Sequence, residues 1–582
     1  MNILGIQWGD TATVAAIKNN KILAAIAEER FTRKKNDMSF PLNSIKFCID
    51  SFKNEKIDLI TIASREFDYV HTLTHLYSLP VSEILKLQYN YYYPLFYQGK
   101  KKNLLLILKK HWIKNQYPKE YWSKVNKQKI KTFSHDLKKI VSLATKIPEK
   151  KIIHIEHHKC HANYGYYTSP FKKEKCLVFT IDGSGDRGIN ATISVGKNGV
   201  LKKFYETKNC IIGRIYSYIT LLLGMRRLEH EYKIMGLAPY AQEKIDNVAY
   251  KVFDDCLKLD GFKFKFKKKP KDSYFHFERK LKGKRFDIIA AALQQWVEDM
   301  IIKWVKNTIK LKKINKIVFS GGVSMNAKAM GKLLELKEVK SLWVPGAGQD
   351  DSICIGAAME NKINKKDKFF DMKSLYLGSD ANIEELNFII KIKKNIKYRV
   401  IKYTPNIAAK YLSEGRVLGR CVDRMEFGPR SLGNRAIIAD PRKIETKELI
   451  NKMIKKRDFW MPFAPTVLDT FAKKYLKNTH KFCSYHMSVT YNTTTIGYQN
   501  LKAACHDADK TVRAQILTKK INQKYYELIA SFKKRTNCGA LLNTSFNLHG
   551  YPVVRTLNDS FYVLANSGLD GIITDNYIIL KK

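Results

Sequence analysis

Residues 2–8, NILGIQW, form a short apolar run of the kind that fills a buried strand. TVAAI (13–17) and KILAAIAEERF (21–31) follow as two more strands or strand edges. Asp10 and Thr11 lie in the turn between the first two, and a strand–turn–strand opening with an acid and a hydroxyl at the turn has the look of a phosphate-binding hairpin. Residues 66–150 lose this pattern. They are rich in Tyr, Trp and Lys, as in LQYNYYYPLFYQGKKKN, and predict a helical, peripheral insertion or cap. Strand patterns return from 151 as KIIHIE, CLVFTIDGSGD and ATISV. FKFKFKKKPKD alternates Phe with Lys at period two and predicts a half-exposed strand. Residues 286–312 predict a helix. Strand KIVFSGG, a helix starting near Ser324, strand SLWVP and a small-residue helix, ICIGAAME, come next. A Lys- and Asn-rich stretch near 360–372 predicts a domain boundary between a first unit over 1–365 and a second α/β unit over 373–582. A chain of 582 residues exceeds a single hydrophobic core, so two or three domains are expected.

Composition adds charge to this picture. Hydrophobic residues at 45% and charged ones at 27% are ordinary for a soluble globular protein, but a formal charge of +50 is not. It comes from 84 Lys against 20 Arg. The lysines are spread along the chain, which fits compositional bias or a solvated surface better than a dedicated nucleic-acid face; attraction to polyanions would be salt-sensitive. Arginine is placed differently: seven of the 20 fall between 416 and 457. The segment EFGPRSLGNRAIIADPR (426–442) carries three, with Gly428, Pro429 and Gly433 stiffening or turning the backbone between them. In a lysine-biased chain such arginines predict bidentate grip on phosphate or carboxylate. The competing reading is structural ion pairing with Glu426, Asp440 and Asp458. Ten cysteines without CxxC spacing predict reduced thiols and a cytoplasmic protein. The N-terminus lacks a basic region followed by an apolar stretch, and the longest apolar runs, such as ITLLLGM, are too short to span a bilayer, so no membrane partner is expected.

Four segments carry chemistry. In EHHKCHANYGYYTSPF (156–171), a helix would place His157 and His161 at i and i+4 on one side, a bidentate site suited to a transition metal, with His158 and Cys160 facing elsewhere. IDGSGD sets Asp182 at a strand end beside Gly183 and Gly185, where backbone can approach phosphate. FSGGVSMNAKAM (319–330) repeats strand, two glycines and a helix N-terminus. PGAGQDDSICIGAA (345–358) supplies Asp350 and Asp351 before another helix. Two histidines and a distant Asp complete an N,N,O site with open positions. In this order the loops suggest an ATPase-type fold with two-fold pseudo-symmetry.

These pieces resemble the O-carbamoyltransferase family of nodulation-factor and antibiotic biosynthesis. The resemblance rests on AEERFTRKKND (27–37), HHKCHA, IDGSGD, HEYKIMGLAPY (230–240), SGGVSMN, GQDDSICIGAA, RMEFGPRSLGNRAIIADPR (424–442), RDFWMPFAPTVL (457–468), HDADKTVRAQ (506–515) and LLNTSFNLHGYPVV (541–554), in family order over nearly the whole chain. It implies an N-terminal actin/sugar-kinase-like (ASKHA) domain similar to the tRNA threonylcarbamoyl transferase subunit, and a C-terminal YrdC-like α/β domain. The implied reaction forms carbamoyl-adenylate from carbamoyl phosphate and ATP in the second domain. The first domain, holding a divalent metal (iron expected, magnesium an alternative), then passes the carbamoyl group to a hydroxyl of a sugar, glycan or metabolite.

By the same resemblance His157, His161, Asp350 and Asp182 are metal ligands. Asp10, Asp182, Gly183, Gly185, Lys233, Gly321, Gly322 and Asn326 belong to the nucleotide loops. Arg424, Arg430, Arg435, Arg457, Arg513, Asn543, Ser545 and Asn547 face carbamoyl phosphate and ATP. The chain departs from the family pattern at Gly9, where His usually precedes Asp10, at Met461 in place of Arg, and at Tyr232, Ser352 and Tyr551, which leaves acceptor recognition open. A homodimer is an assembly consistent with this reading. A carbamoyl-type transferase acting on nucleic acid is the alternative function; a non-catalytic binding protein is disfavoured by the intact metal and arginine motifs.

Overall fold

The computed structural model describes residues 1–9, 11–66, 74, 76, 79–111, 133–360, 374–482 and 484–582. The chain separates into two compact units, Met1–Thr32 with Asn36–Asp371, and Arg33–Lys35 with Met372–Lys582. Both mix helices and sheet.

The first unit is built on two five-stranded sheets. In the first, β1 (Asn2–Gln7), β2 (Thr13–Lys18) and β3 (Lys21–Ala27) form an antiparallel meander. Strands β4 (Leu59–Ala63) and β5 (Ile152–Ile155) then add in parallel on the other side of β1, giving the order β3-β2-β1-β4-β5. The second sheet repeats the plan. Its meander is β6 (Cys176–Ile181), β7 (Ala191–Lys197) and β8 (Val200–Thr207); after a hairpin of β9 (Leu257–Asp260) and β10 (Lys263–Phe266), strands β11 (Lys316–Ser320) and β12 (Ser341–Trp343) complete the order β12-β11-β6-β7-β8. Taken from the meander's third strand, both sheets read third, second, first, fourth, fifth. The hairpin buries Phe264 while Lys263 and Lys265 stay exposed, which the Phe–Lys alternation anticipated.

One strand expectation fails. KILAAIAEERF is extended only to Ala27, and Glu29–Thr32 is helical. The reason lies in Glu28, whose buried carboxylate accepts the amides of Asn43 (3.1 Å) and Ser44 (2.8 Å) at the start of the Leu42–Asp50 helix. A side chain committed to a helix N-terminus is unavailable to continue a ladder. In the region read as an insertion, helices cover Val81–Leu87, Tyr93–Tyr97 and Phe133–Thr145, and residues 112–132 lie outside the described residues.

The 27-residue helix Phe286–Lys312 packs beneath the second sheet. Its Trp304 meets Phe179 of β6 edge-on at 4.8 Å, and Phe179 stacks on Phe319 of β11 at 5.9 Å. Each such aromatic pair contributes about 0.5–1.5 kcal/mol beyond its buried area. Two further helices, His157–Thr168 and Ile353–Met359, lie against one another. Gly356 allows it: a Cβ there would sit 1.9 Å from the carbonyl oxygen of Cys160. Each helix follows the fifth strand of its own sheet, so they occupy equivalent places in the two halves.

The second unit centres on an eight-stranded mixed sheet. Its order is Tyr398–Lys402, Tyr577–Lys581, Gly571–Ile573, Leu418–Cys421, Arg435–Ala439, Ala540–Ser545, Ala464–Leu468, Gln515–Leu517. Ile437, Leu542, Phe546, Val563 and Ile572 are among the residues of its core. The strands Arg435–Ala439, Ala540–Ser545 and Ala464–Leu468 lie side by side in the middle and bring the 424–442, 541–554 and 457–468 motifs together.

Candidate functional sites

Glu156 caps the His157–Thr168 helix, its carboxylate accepting the amides of His158 (3.0 Å) and Lys159 (2.9 Å). An acid at this end also meets the positive pole of the helix. With the first turn fixed, His157 and His161 project to the same side, and their Nε2 atoms are 3.2 Å apart. His161 Nε2 lies 3.2 Å from Asp350 Oδ1 and 3.2 Å from Asp182 Oδ2, and His157 Nε2 lies 3.7 Å from Asp350 Oδ1. One imidazole N–H cannot serve three acceptors at once, so lone pairs are forced to face one another here. The ligand atoms of all four residues fall within 4.8 Å of each other. Two imidazoles and two carboxylates converging in a buried place fit a divalent transition metal.

The proton balance follows the same geometry. Burial pushes the His161 pKa down, but the carboxylates of Asp182 and Asp350 outweigh it and raise it to about 9. Burial opposes ionisation of Asp182, yet His161, His157 and the Gly322 amide hold its carboxyl well below the usual range. Asp351, the next residue after Asp350, is instead raised to about 6, chiefly by burial. His158 faces away from the cluster, as the helical spacing predicts. Burial, reinforced by the neighbouring His157 and His161, drives its pKa well below the ordinary value, and its ring lies 2.8 Å from Thr180 Oγ1 and 3.0 Å from the Ile189 carbonyl.

The glycine loops serve Asp182. Its Oδ1 accepts the Gly183 amide and its Oδ2 the Gly322 amide, both at 2.6 Å. Gly321 has φ +94°, and a Cβ would collide with the Ile181 carbonyl at 2.3 Å, so the close crossing of the two loops requires glycine. Gly185 packs against the rings of His157 and His158. Asn326 caps the Ala327–Glu335 helix and exchanges two amide hydrogen bonds with Gln294 (2.9 and 3.0 Å), so its side chain has a structural task. Lys233 stands half-buried on the Glu231–Leu237 helix. Asp10 lies outside the described residues.

In the second unit the arginines divide into two groups. Arg435 is fully buried and gives its guanidinium N–H groups to the backbone carbonyls of Val422, Asn434, Ser379, Asp423 and Arg555 at 2.5–3.3 Å. Arg424 bonds the Gly378 and Leu377 carbonyls at 3.1 and 2.5 Å. For Arg435 the expected anion contact is corrected: its planar fork matches a cluster of carbonyls and has no donor to spare. Arg442 forms a bidentate pair with Asp440 (2.7 and 3.0 Å), the ion-pair reading. The Glu426 carboxylate instead accepts the amides of Leu432, Asn434 and Arg435 at 2.7–3.2 Å and shapes the intervening loop.

Arg513, Arg430 and Arg457 form the other group. Burial lowers the proton affinity of Arg513 well below that of an ordinary arginine, the charges of Arg430 and Arg457 lower it further, and its Nε is buried without a hydrogen-bond partner among the described residues. Lys455 was missed among 84 lysines. It is buried, and its ammonium donates to Asn547 Oδ1 (2.6 Å), the carbonyls of Ser545 (2.5 Å) and Asn547 (2.9 Å), and Ser545 Oγ (3.2 Å). Burial, then Arg457 and Lys35, depress its pKa well below the lysine range. Its sequence signal was adjacency to Arg457 in KKRDFW. Asn543 donates to Thr466 Oγ1 at 3.0 Å and to the Ser431 carbonyl at 3.3 Å, tying the central strand to the 426–435 loop.

A metal-competent cluster lies in one α/β unit and a set of partly or fully buried cationic side chains in the other. Comparison with known proteins makes the assignment specific. The family model described as carbamoyltransferase N-terminus matches residues 2–359, and that described as carbamoyltransferase C-terminus matches residues 409–581. The chain belongs to the carbamoyltransferase family and is a transferase enzyme. It is 28% identical to an uncharacterised protein of Methanocaldococcus jannaschii, across the whole of both chains. It is also 28% identical to the nodulation protein NolNO of Sinorhizobium fredii over 97% of this chain and 78% of that one. With the 3′-hydroxymethylcephem-O-carbamoyltransferase of Streptomyces clavuligerus the identity is 24%, over 58% of this chain and 62% of the relative. Among solved structures, full-length HypF in its phosphate- and nucleotide-bound form aligns with 62% of this chain and 46% of its own at 12% identity, but a TM-score of 0.32 carries no argument. No helix among the described residues is long and apolar enough to cross a membrane.

Proposed function

We propose that the protein is an ATP-dependent O-carbamoyltransferase whose second unit makes carbamoyl-adenylate and whose first unit delivers the carbamoyl group to a hydroxyl of a sugar, glycan or metabolite. The observation that carries this reading is Arg513, whose Nε is buried with no hydrogen-bond partner among the described residues while the charges of Arg430 and Arg457 act on it. Holding like charges together in a buried place costs free energy, which an anionic ligand offsets. Carbamoyl phosphate and ATP together bring such charge, and pyrophosphate departing from ATP adds more in the transition state. A preorganised donor of this kind is typically worth about 3–4 kcal/mol.

Each proposed step conserves atoms. Water cleaves carbamoyl phosphate to carbamate and phosphate. A carbamate oxygen then attacks the α-phosphorus of ATP and pyrophosphate leaves. In the first unit the acceptor hydroxyl displaces AMP from the carbonyl carbon, losing its proton. His157, His161, Asp182 and Asp350 would hold a divalent metal, iron being the ion proposed and magnesium the alternative. A bound ion supplies Lewis acidity toward substrate oxygens. Gly183 and Gly322 hold the Asp182 carboxylate in place through their amides, and Lys233 is assigned to the nucleotide. The repeated strand order supports an ASKHA-type first unit, and the 424–442 and 541–554 motifs support a YrdC-like second unit.

The test is pyrophosphate release. It is expected only when ATP and carbamoyl phosphate are both present, to fall at least about 100-fold in Arg513→Ala, and to persist in His157→Ala while transfer to acceptor is lost. Release with ATP alone, or unchanged release in Arg513→Ala, overturns the reading.

A further inference from the structure

The metal reading leaves unexplained why one residue of the first unit accepts a backbone conformation that most side chains avoid. Ser64, immediately after β4, has φ +74°. Its counterpart in the second sheet, immediately after the fourth strand β11, is Gly321, at φ +94°. The two positions make the same turn in the two halves: the Ser64 amide bonds the Ile155 carbonyl at 2.8 Å, and the Gly321 amide bonds the Gly348 carbonyl at 3.0 Å, each on the segment that follows or ends the fifth strand. Glycine adopts that conformation freely. Serine is strained there, as are several other non-glycine residues of the first unit such as Lys53 and Ala347, and at Ser64 the side chain meets the histidine cluster.

Ser64 Oγ lies 3.1 Å from His157 Nδ1, in a buried place, while the opposite ring nitrogen, Nε2, faces His161 and Asp350. Asp186 holds the same histidine from the backbone side. This buried carboxylate accepts the His157 amide at 2.9 Å, and it also accepts the amides of Arg65 (2.9 Å) and Glu66 (2.8 Å), the two residues after Ser64. The turn carrying the hydroxyl and the first residue of the helix are therefore tied to one acid. His161 has no such support, since its Nδ1 is buried without a partner among the described residues.

We infer that Ser64 and Asp186 are positioning residues that lock His157 with Nδ1 turned to the hydroxyl and Nε2 presented for metal. Groups that orient a ligating histidine from behind typically change metal affinity about 10–100-fold when removed. The inference rests on the proposed metal site, and its test separates the two. The full chain is titrated with Co2+ by calorimetry and by its visible absorption bands, alongside thermal melts without metal. The wild type is expected to bind one equivalent and His157→Ala to bind none. Ser64→Gly, which relieves the strain but removes the hydroxyl, is expected to melt no lower than wild type yet bind Co2+ about 10–100-fold more weakly, and Ser64→Ala to weaken binding equally. Asp186→Asn is expected to perturb the cobalt bands by loosening His157. A Ser64→Gly protein that binds Co2+ within about threefold of wild type, well short of that range, overturns the inference and leaves the metal site standing. A wild type that binds no Co2+ overturns both.

Discussion

A cation entering the first-unit cluster near neutral pH must displace the proton held by His161, whose pKa is raised from 6.5 to about 9. The imidazolium's contacts with Asp182 and Asp350 stabilise the metal-free protein fully below pH 6.5 and are lost as pH rises through about 9. Metal binding has the opposite trend. The apparent Co2+ affinity is expected to climb about tenfold per pH unit from neutrality and to level off near pH 9, with one proton released per ion. Calorimetry in buffers of different ionisation enthalpy measures that release, and a flat profile would contradict it. In the second unit the same residue type has two fates. Arg435→Met strips the donors from several buried carbonyls, each costing about 1–3 kcal/mol when orphaned, so a loss of at least about 3 kcal/mol is expected in urea unfolding. Arg513→Lys should leave unfolding nearly unchanged while lowering pyrophosphate release. Arginine scarcity marked Arg435 within 416–457, Arg513 came from the family resemblance alone, and neither signal told the two fates apart. Carbonyls that meet Arg435 come from Ser379, Val422 and Arg555, and no local pattern predicts their convergence. Ser64 was invisible for a similar reason, because only the fold sets it against His157.

Helices and strands were more legible where periodicity and caps agreed. The 286–312 helix matched its apolar pattern over its full length, and the strands before Asp182 and Gly321 ended where their glycines begin. Glu28 and its successors misled because the strand was extended past a residue that belongs to the next helix's cap. The pairing of His157–Thr168 with Ile353–Met359 was not legible at all, though its enabling residue, Gly356, is plain in ICIGAAME. That contact sets the approach of Asp350 to His161. Gly356→Ala would push the helices apart and is expected to cost about 1–3 kcal/mol as an overpacked contact. It should also weaken Co2+ binding without touching any ligand. Thermal melts and a cobalt titration of the same sample check both halves of that expectation, and normal binding in a destabilised protein would show that the helix contact does not set the site.

At the scale of the whole chain, a formal charge of +50 makes weak attraction to polyanions unavoidable. If the charge is a solvated background, a single-stranded RNA oligomer should bind at 50 mM salt and lose about a thousandfold or more in affinity by 200 mM, as counterion release dictates for several phosphate contacts. Fluorescence anisotropy across that range tests it; binding that survives at 200 mM would favour a nucleic-acid acceptor. The repeated sheets of the first unit have a consequence in polymer terms. His161 and Asp350 belong to different halves of the repeat and are separated by 189 residues of chain. An ion gripping both is a removable cross-link closing a loop of that size, and such links restrict the unfolded chain most when the loop is long. The metal would then be a fastener as well as a reagent. Its removal by a chelator would slacken both sheets together, and slowed hydrogen exchange on reloading should spread through β1–β12 instead of staying at the four ligands.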